Sequence, residues 1–138
     1  MKVSVVLDEG AKMPTKAHDI DAGFDLYSRE DKTIINKAKF DTGVHIEIPK
    51  GYVGFLKSKS GLNVKHNITS DGVIDAGYTG SIVVKLYNHN HGKEEYQVKK
   101  GDKISQLVIL PIPEIELVQV DTLEETERGD NGFGSSGR

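Results

Sequence analysis

The stretch SIVVKL, Ser81-Ile82-Val83-Val84-Lys85-Leu86, decides the fold class. Polar and apolar side chains alternate along it, so an extended strand can bury one face and solvate the other, whereas a helix would spread the same residues around its circumference. The same period recurs in Lys2-Val3-Ser4-Val5 and in Val44-His45-Ile46-Glu47-Ile48, and strand-like runs occupy 52–57, 96–98, 103–110 and 115–120. Turn signals separate them at Pro49-Lys50-Gly51, Asn90-His91-Gly92 and Lys100-Gly101-Asp102. No segment sustains a 3.6-residue stripe, and the one helix to expect is a short one around 60–66 with Ser60 as its cap. Many short strands at this spacing predict an all-β fold, a distorted jelly-roll β-barrel or sandwich with one short helix.

At 138 residues the chain is long enough for one domain with its own core, without disulfides or a structural metal. It has no cysteine, no charged-then-apolar leader and no long apolar run, which places it by expectation in a soluble, cytoplasmic setting away from membranes. A formal charge of −3 excludes a protein whose main work is coating nucleic acid, since that needs a clustered basic surface. Four of the last ten residues are glycine, so 127–138 reads as a flexible flap appended to a folded body of residues 1–126.

Four segments combine residue types suited to chemistry. In Gly72-Val73-Ile74-Asp75-Ala76-Gly77-Tyr78-Thr79-Gly80, Asp75 stands where a hairpin would end; it either caps a turn or serves as a general base that orients a water. Lys57-Ser58-Lys59-Ser60-Gly61-Leu62 brings ammonium groups, hydroxyls and an unhindered backbone to the start of a helical turn, a composition that suits phosphate. Gln106 interrupts an apolar strand and must face either solvent or a partner. In the tail, Arg128 offers a planar fork, Phe133 a ring for stacking, and Ser135 and Ser136 hydroxyls beside glycines. Only three arginines occur against 15 lysines, which makes the placement of Arg128 notable; the tripeptide Arg128-Gly129-Asp130 is taken as coincidence. A rival metal constellation, His89, His91 and Glu95, lacks any later histidine to complete a cupin-like ligand set.

The order and content of these segments resemble the trimeric dUTPase family over nearly the whole chain. Its five segments correspond to Asp21-Ala22-Gly23-Phe24-Asp25-Leu26-Tyr27, Lys59-Ser60-Gly61-Leu62, residues 72–80, Gly101-Asp102-Lys103-Ile104-Ser105-Gln106-Leu107 and residues 128–137. The resemblance implies hydrolysis of dUTP to dUMP and pyrophosphate on a homotrimer with a swapped C-terminal tail, each site being built from all three chains. It implies that Asp75 orients and deprotonates the attacking water and that Asp25 helps to hold the water and metal shell. Tyr78 would pack under the sugar, and backbone groups of a hairpin over about 67–75, including Gly72 and Ile74, would read uracil. Lys59, Ser60, Gly61 and Gln106 would contact phosphates, and Arg128, Phe133, Gly134, Ser135 and Ser136 would form the closing flap. Mg2+ would ride on the substrate phosphates and waters, with Asp25 acting indirectly.

Two segments depart from the family pattern. Lys59 stands where arginine is usual, replacing a fork with a point charge, and Asp130-Asn131 stands where small residues are usual. The related dCTP deaminases need a glutamate on the strand after the third segment, whereas this strand carries Lys85. A binding module without catalysis would have no need of a water-orienting Asp75.

Overall fold

The computed structural model describes residues 1–134, 136 and 137. Its strands are β1 (Val5–Leu7), β2 (Gly23–Tyr27), β3 (Lys32–Ile34), β4 (Lys37–Ile46), β5 (Tyr52–Lys57), β6 (Ile68–Thr69), β7 (Asp71–Ile74), β8 (Ser81–Asn88), β9 (Tyr96–Val98) and β10 (Lys103–Pro111); the one helix among the described residues is α1 (Ser60–His66). They form two four-stranded sheets, ordered β1-β4-β8-β6 and β2-β10-β5-β7, and a ribbon β3-β9. Every named pairing is antiparallel. The architecture is a jelly-roll-like sandwich whose sheets do not close into a barrel. Among the described residues no helix is long and apolar enough to cross a membrane.

The alternation of SIVVKL is realised in β8, where Ile82, Val84 and Leu86 are buried and Val83 and Tyr87 face outward. Those three join Phe40, Val44 and Ile46 of β4 on the inner face of the first sheet. They meet Leu26, Leu56, Ile74, Ile104 and Leu107 from the second sheet in one continuous cluster. Burying each such side chain stabilises by about 1.5–3 kcal/mol. Between Asp41 and His45 the β4–β8 register shifts, and the buried Thr42 hydroxyl spans the irregularity by donating to the Ile82 carbonyl at 2.7 Å and accepting from the Val44 N–H at 3.2 Å. Asn88 ties the ribbon to the body through its amide, which donates to the carbonyls of Ile34 (3.0 Å) and Glu94 (2.8 Å).

Several expectations are corrected. Residues 115–120 are not a strand: β10 ends at Pro111, the Ile112 N–H makes a last 2.8 Å bond to the Gly51 carbonyl, and Ile115, Leu117, Val118 and Val120 lie exposed. The apolar alternation there is real, but the strip packs on no face of its own chain, so exposure begins well before residue 127. Ser60 does not cap α1; Lys59 occupies the N-cap position, and no side chain bonds there. The helix instead ends on a left-handed Asn67 (φ 55°), with Lys65 and His66 in its last turn, where cations suit the dipole. Residues 67–75 do not form one hairpin either. β6 pairs with β8 and β7 with β5, so the chain changes sheets at Ser70. Four strands, β2, β3, β6 and β7, lie outside the runs expected from alternation, and β4 begins at Lys37, well before Val44.

Phe40 is 1% exposed at the centre of the cluster. Phe40→Ala is expected to lower unfolding stability by about 3–5 kcal/mol, read as a shifted urea midpoint at fixed protein concentration. A shift below 1 kcal/mol would mean the two inner faces do not meet there.

Candidate active site

A polar row crosses the second sheet in register, Asp25 opposite Gln106, Gln106 opposite Lys57 and Lys57 opposite Asp71. Beneath it lies a hub of hydroxyls. The Ser58 hydroxyl donates to the Ser70 carbonyl (3.1 Å) and accepts from the Ser70 N–H (3.0 Å). Ser105, fully buried, donates to the Lys57 carbonyl (3.0 Å), and its Oγ lies 2.9 Å from that of Ser70. The Gln106 amide donates to the Ser58 carbonyl at 2.9 Å. Gln106 therefore faces neither bulk solvent nor the core, but braces the segment that leads into Lys59, Ser60 and Gly61. A side chain at Gly23 would collide with Gln106 Oε1, so glycine at that position keeps the amide in place.

Asp25 is the most confined carboxylate of the group, with its side chain 6% exposed. Lys59 donates to Oδ1, and the Lys103 ammonium sits 3.1 Å from Oδ2. Burial opposes ionisation, but the two lysine hydrogen bonds and charges outweigh it and hold the carboxyl below its ordinary range; Lys103 is correspondingly raised. Both oxygens are thus engaged by ammonium groups, which leaves a water and metal shell only the remaining lone pairs. Lys103, Ser58 and Ser105 fall inside segments picked out by composition and order, but nothing in the sequence marks them, or Ser70, as partners of Asp25 or of one another. Among the described residues, no cluster of three or more His, Asp or Glu gathers around a point. The His89, His91 and Glu95 set is thus not assembled. The His89 ring instead lies 2.7 Å from the Thr69 hydroxyl.

Asp75 opens the turn after β7, and its carbonyl accepts from the Tyr78 N–H at 3.1 Å. The Tyr78 hydroxyl donates to the Ser81 carbonyl at 2.8 Å, folding the ring over Gly80, where a Cβ would come within 2.5 Å of that hydroxyl. Asp75 and Tyr78 line one shallow depression with Val73, Ser81 and Val83. Ile74 buries its side chain in the core and offers only backbone, as does Gly72; β7 is an edge strand, with a row of peptide groups facing outward. Asp75 stands four positions beyond Asp71 of the polar row, a span of ~13 Å along an extended chain. The tail stands apart again. Arg128 folds back on its own segment, donating to the Asn131 carbonyl at 2.7 Å, and Phe133, Gly134 and Ser136 are exposed. Ser135 lies outside the described residues. One chain thus brings Asp25, Lys59, Ser60, Gly61 and Gln106 together, holds Asp75 and Tyr78 at a second place, and leaves the flap at a third.

The dUTPase family model matches residues 9–137. The chain belongs to the dUTPase family. The deoxyuridine 5'-triphosphate nucleotidohydrolase of Clostridium tetani is 46% identical over 139 residues, covering 96% of this chain and 94% of its own length. A dUTPase mutant of Staphylococcus bacteriophage 80alpha, solved with dUpNHpp, superposes with a TM-score of 0.90 at 36% identity and covers 99% of both chains. A mutant dUTPase from phage phi11 of S. aureus, whose structure concerns the coordination of a structural Mg(II) ion, gives 0.82 at 35% identity, covering 91% of this chain and all of its own. Set against the family's usual arginine, Lys59 here spends its charge inside its own chain on Asp25.

Asp25→Asn is expected to cost about 2 kcal/mol of stability at pH 7, the scale of hydrogen bonds to a charged group. Because the folded-state carboxyl is lowered, that contribution is present above the unfolded value near 3.8 and is lost as pH falls through the folded one. Urea titrations of the two proteins should therefore converge below pH 4; a constant gap would show the ion pairs to be unimportant.

Proposed function

We propose that this chain hydrolyses dUTP to dUMP and pyrophosphate, as a homotrimer whose active sites are shared between copies. The observation that carries the reading is the likeness, over nearly the whole chain, to a dUTPase solved with a dUTP analogue. The division of the candidate residues into three separate places supports the sharing. So does a match between two apolar surfaces. The exposed strip of Ile112, Ile115, Leu117, Val118 and Val120 is long enough to fill a groove of about 300 Å³ lined by Val3, Val5, Met13, Phe24, Tyr52 and Ile109. Neither surface can satisfy the other within one chain while the strip stands clear of the body, and a swapped tail brings them together between copies.

In this mechanism Asp75 receives the proton of a water aimed at the α-phosphorus, and the P–O bond to the β-phosphate breaks as the water oxygen bonds to phosphorus. Tyr78 packs under the deoxyribose, where its ring leaves no room for a 2′-hydroxyl. The outward edge of β7 presents backbone N–H and C=O groups that can pair with the uracil edge, a match a cytosine edge would fail. Ser60, Gly61 and Lys59 face the phosphates, while Asp25 aligns Lys59 and Lys103. Arg128 and Phe133 close over phosphate and base, which excludes water other than the one aimed. Magnesium carried on the triphosphate would supply charge neutralisation and hold the phosphate chain in one conformation.

Pyrophosphate release with magnesium is expected from dUTP and not from dCTP, dTTP or UTP; ammonia from dCTP would favour the deaminase chemistry instead. Asp75→Asn should fold and bind dUTP while losing roughly 10²–10⁴ in turnover, the range for a lost general base. A chain ending at Glu127 should also be inactive yet melt like the full chain. When these two inactive chains are refolded together, random assortment should restore about a quarter of wild-type activity, because sites form that draw base and flap from different intact copies. No recovery on mixing would sink the shared site.

A further inference from the structure

His45 lies where three elements meet. On β4 it is opposite Val6 of β1 and opposite Ser81 of β8, so its ring reaches both the N-terminal strand and the start of the strand that follows Asp75. Its Nδ1 is 2.7 Å from the Thr79 carbonyl oxygen, and its Nε2 is 3.0 Å from Asp8 Oδ2. A carbonyl and an ionised carboxylate only accept hydrogen bonds, whereas a neutral imidazole carries a single N–H. Both contacts are made at once only by the doubly protonated ring. Thr79 belongs to the turn that carries Asp75 and Tyr78, and nothing in its sequence neighbourhood links that turn to residue 45.

We propose that His45, as an imidazolium, is a positioning residue that pins the Asp75–Gly80 turn to the β1 end of the first sheet, so that turnover falls when the ring loses its second proton. For the activity it tunes, this rests on the dUTP reading above. The surroundings fit a cation. Asp8 faces the ring from the end of β1, Asp41 adds its charge from β4, and Glu47 and Ser4 line the same depression. Arg29 is turned to Asp41 at 3.3 Å and to the carbonyls of Asp41 and Glu9. On the β8 side Ser81 is neutral and donates to Asp41, while Tyr78 directs its hydroxyl to the Ser81 carbonyl. The Thr79 carbonyl bond and then the Asp8 bond raise the ring above its ordinary value of 6.5, slight desolvation works the other way, and the charges of Asp8 and Asp41 add to the rise. A raised folded-state value means the brace is complete below the unfolded value and is lost as pH rises through the folded one.

The test is a pH titration of the full chain from about pH 5.5 to 9, labelled with 13C-histidine and 15N, alongside kcat/KM for pyrophosphate release from dUTP with magnesium. The His45 ring should titrate above 6.5. The Gly80 amide nitrogen, which shares a peptide unit with the Thr79 carbonyl, should shift with the same midpoint. Asp8→Asn should lower both midpoints together. In the wild type kcat/KM should fall roughly tenfold through that midpoint, a fraction of what a full ångström of misplacement costs. His45→Gln should show neither the Gly80 inflection nor the alkaline fall, and should run flat at the lower level. A ring midpoint at or below 6.5, a Gly80 inflection that survives in His45→Gln, or the same alkaline fall in that variant would each overturn the proposal. If the wild type releases no pyrophosphate at any pH, the dUTP reading and its tuning both fail. The ring and Gly80 titrations then still decide whether the brace exists.

Discussion

Three hydroxyls hold the working end of this molecule together. Ser58, Ser70 and Ser105 come from the end of β5, the corner between the sheets and β10; Ser58 and Ser105 satisfy backbone groups of Ser70 and Lys57, and the Ser70 hydroxyl joins that of Ser105. Buried polar groups of this kind are costly unless every partner is present, which makes such a hub an all-or-nothing device. Ser70 is where the chain leaves one sheet for the other, so the hub fixes the start of β7 and, through it, the approach to Asp75. Through Gln106 and Ser58 it also fixes the entry to α1, where Lys59, Ser60 and Gly61 stand. The core supplies the bulk of the stabilisation, but the hub determines how the segments face one another.

How much was legible in the sequence differs between fold and site. β8 could be read from period-two alternation because it has one buried and one wetter face, and β5, β9 and β10 as short runs bounded by turn signals. β2 could not. Its Gly-Phe-Asp-Leu-Tyr run buries nearly every residue, the charged Asp25 included, so no alternation survives to be seen. β6 and β7 are too short for any period, and the sheet change between them depends on hydrogen bonds from Ser58 and Ser105, far off in sequence. Residues 115–120 mislead for the opposite reason, since they alternate like a strand yet pair with no strand and stand exposed. The motif residues Asp25, Lys59 and Gln106 could be picked out by type and order, whereas their partners Lys103, Ser58 and Ser70 are common residues whose role exists only in three dimensions.

Lys59 shows how a lysine in place of the arginine that the resemblance implies arranges its charge within one chain. A guanidinium at that place could fork between two acceptors, but the lysine has a single charged atom, and here it is aimed at Asp25 together with Lys103. Two ammonium groups around one carboxylate leave a local surplus of positive charge beside the first turn of α1. That surplus is what an incoming polyanion would meet, even though the chain as a whole is negative.

The segment that follows β10 is adhesive without being self-adhesive. Between Ile112 and Glu127 it carries Glu114, Glu116, Asp121, Glu124, Glu125 and Glu127 and no lysine or arginine, and Pro111 and Pro113 interrupt its capacity to donate backbone hydrogen bonds. Two such segments laid side by side would set like charges together and leave gaps in the ladder, so fibre-like stacking of one on another is discouraged even though their oily residues are uncovered. A newly made chain can therefore leave its oily residues uncovered without adhering to the first sibling it meets.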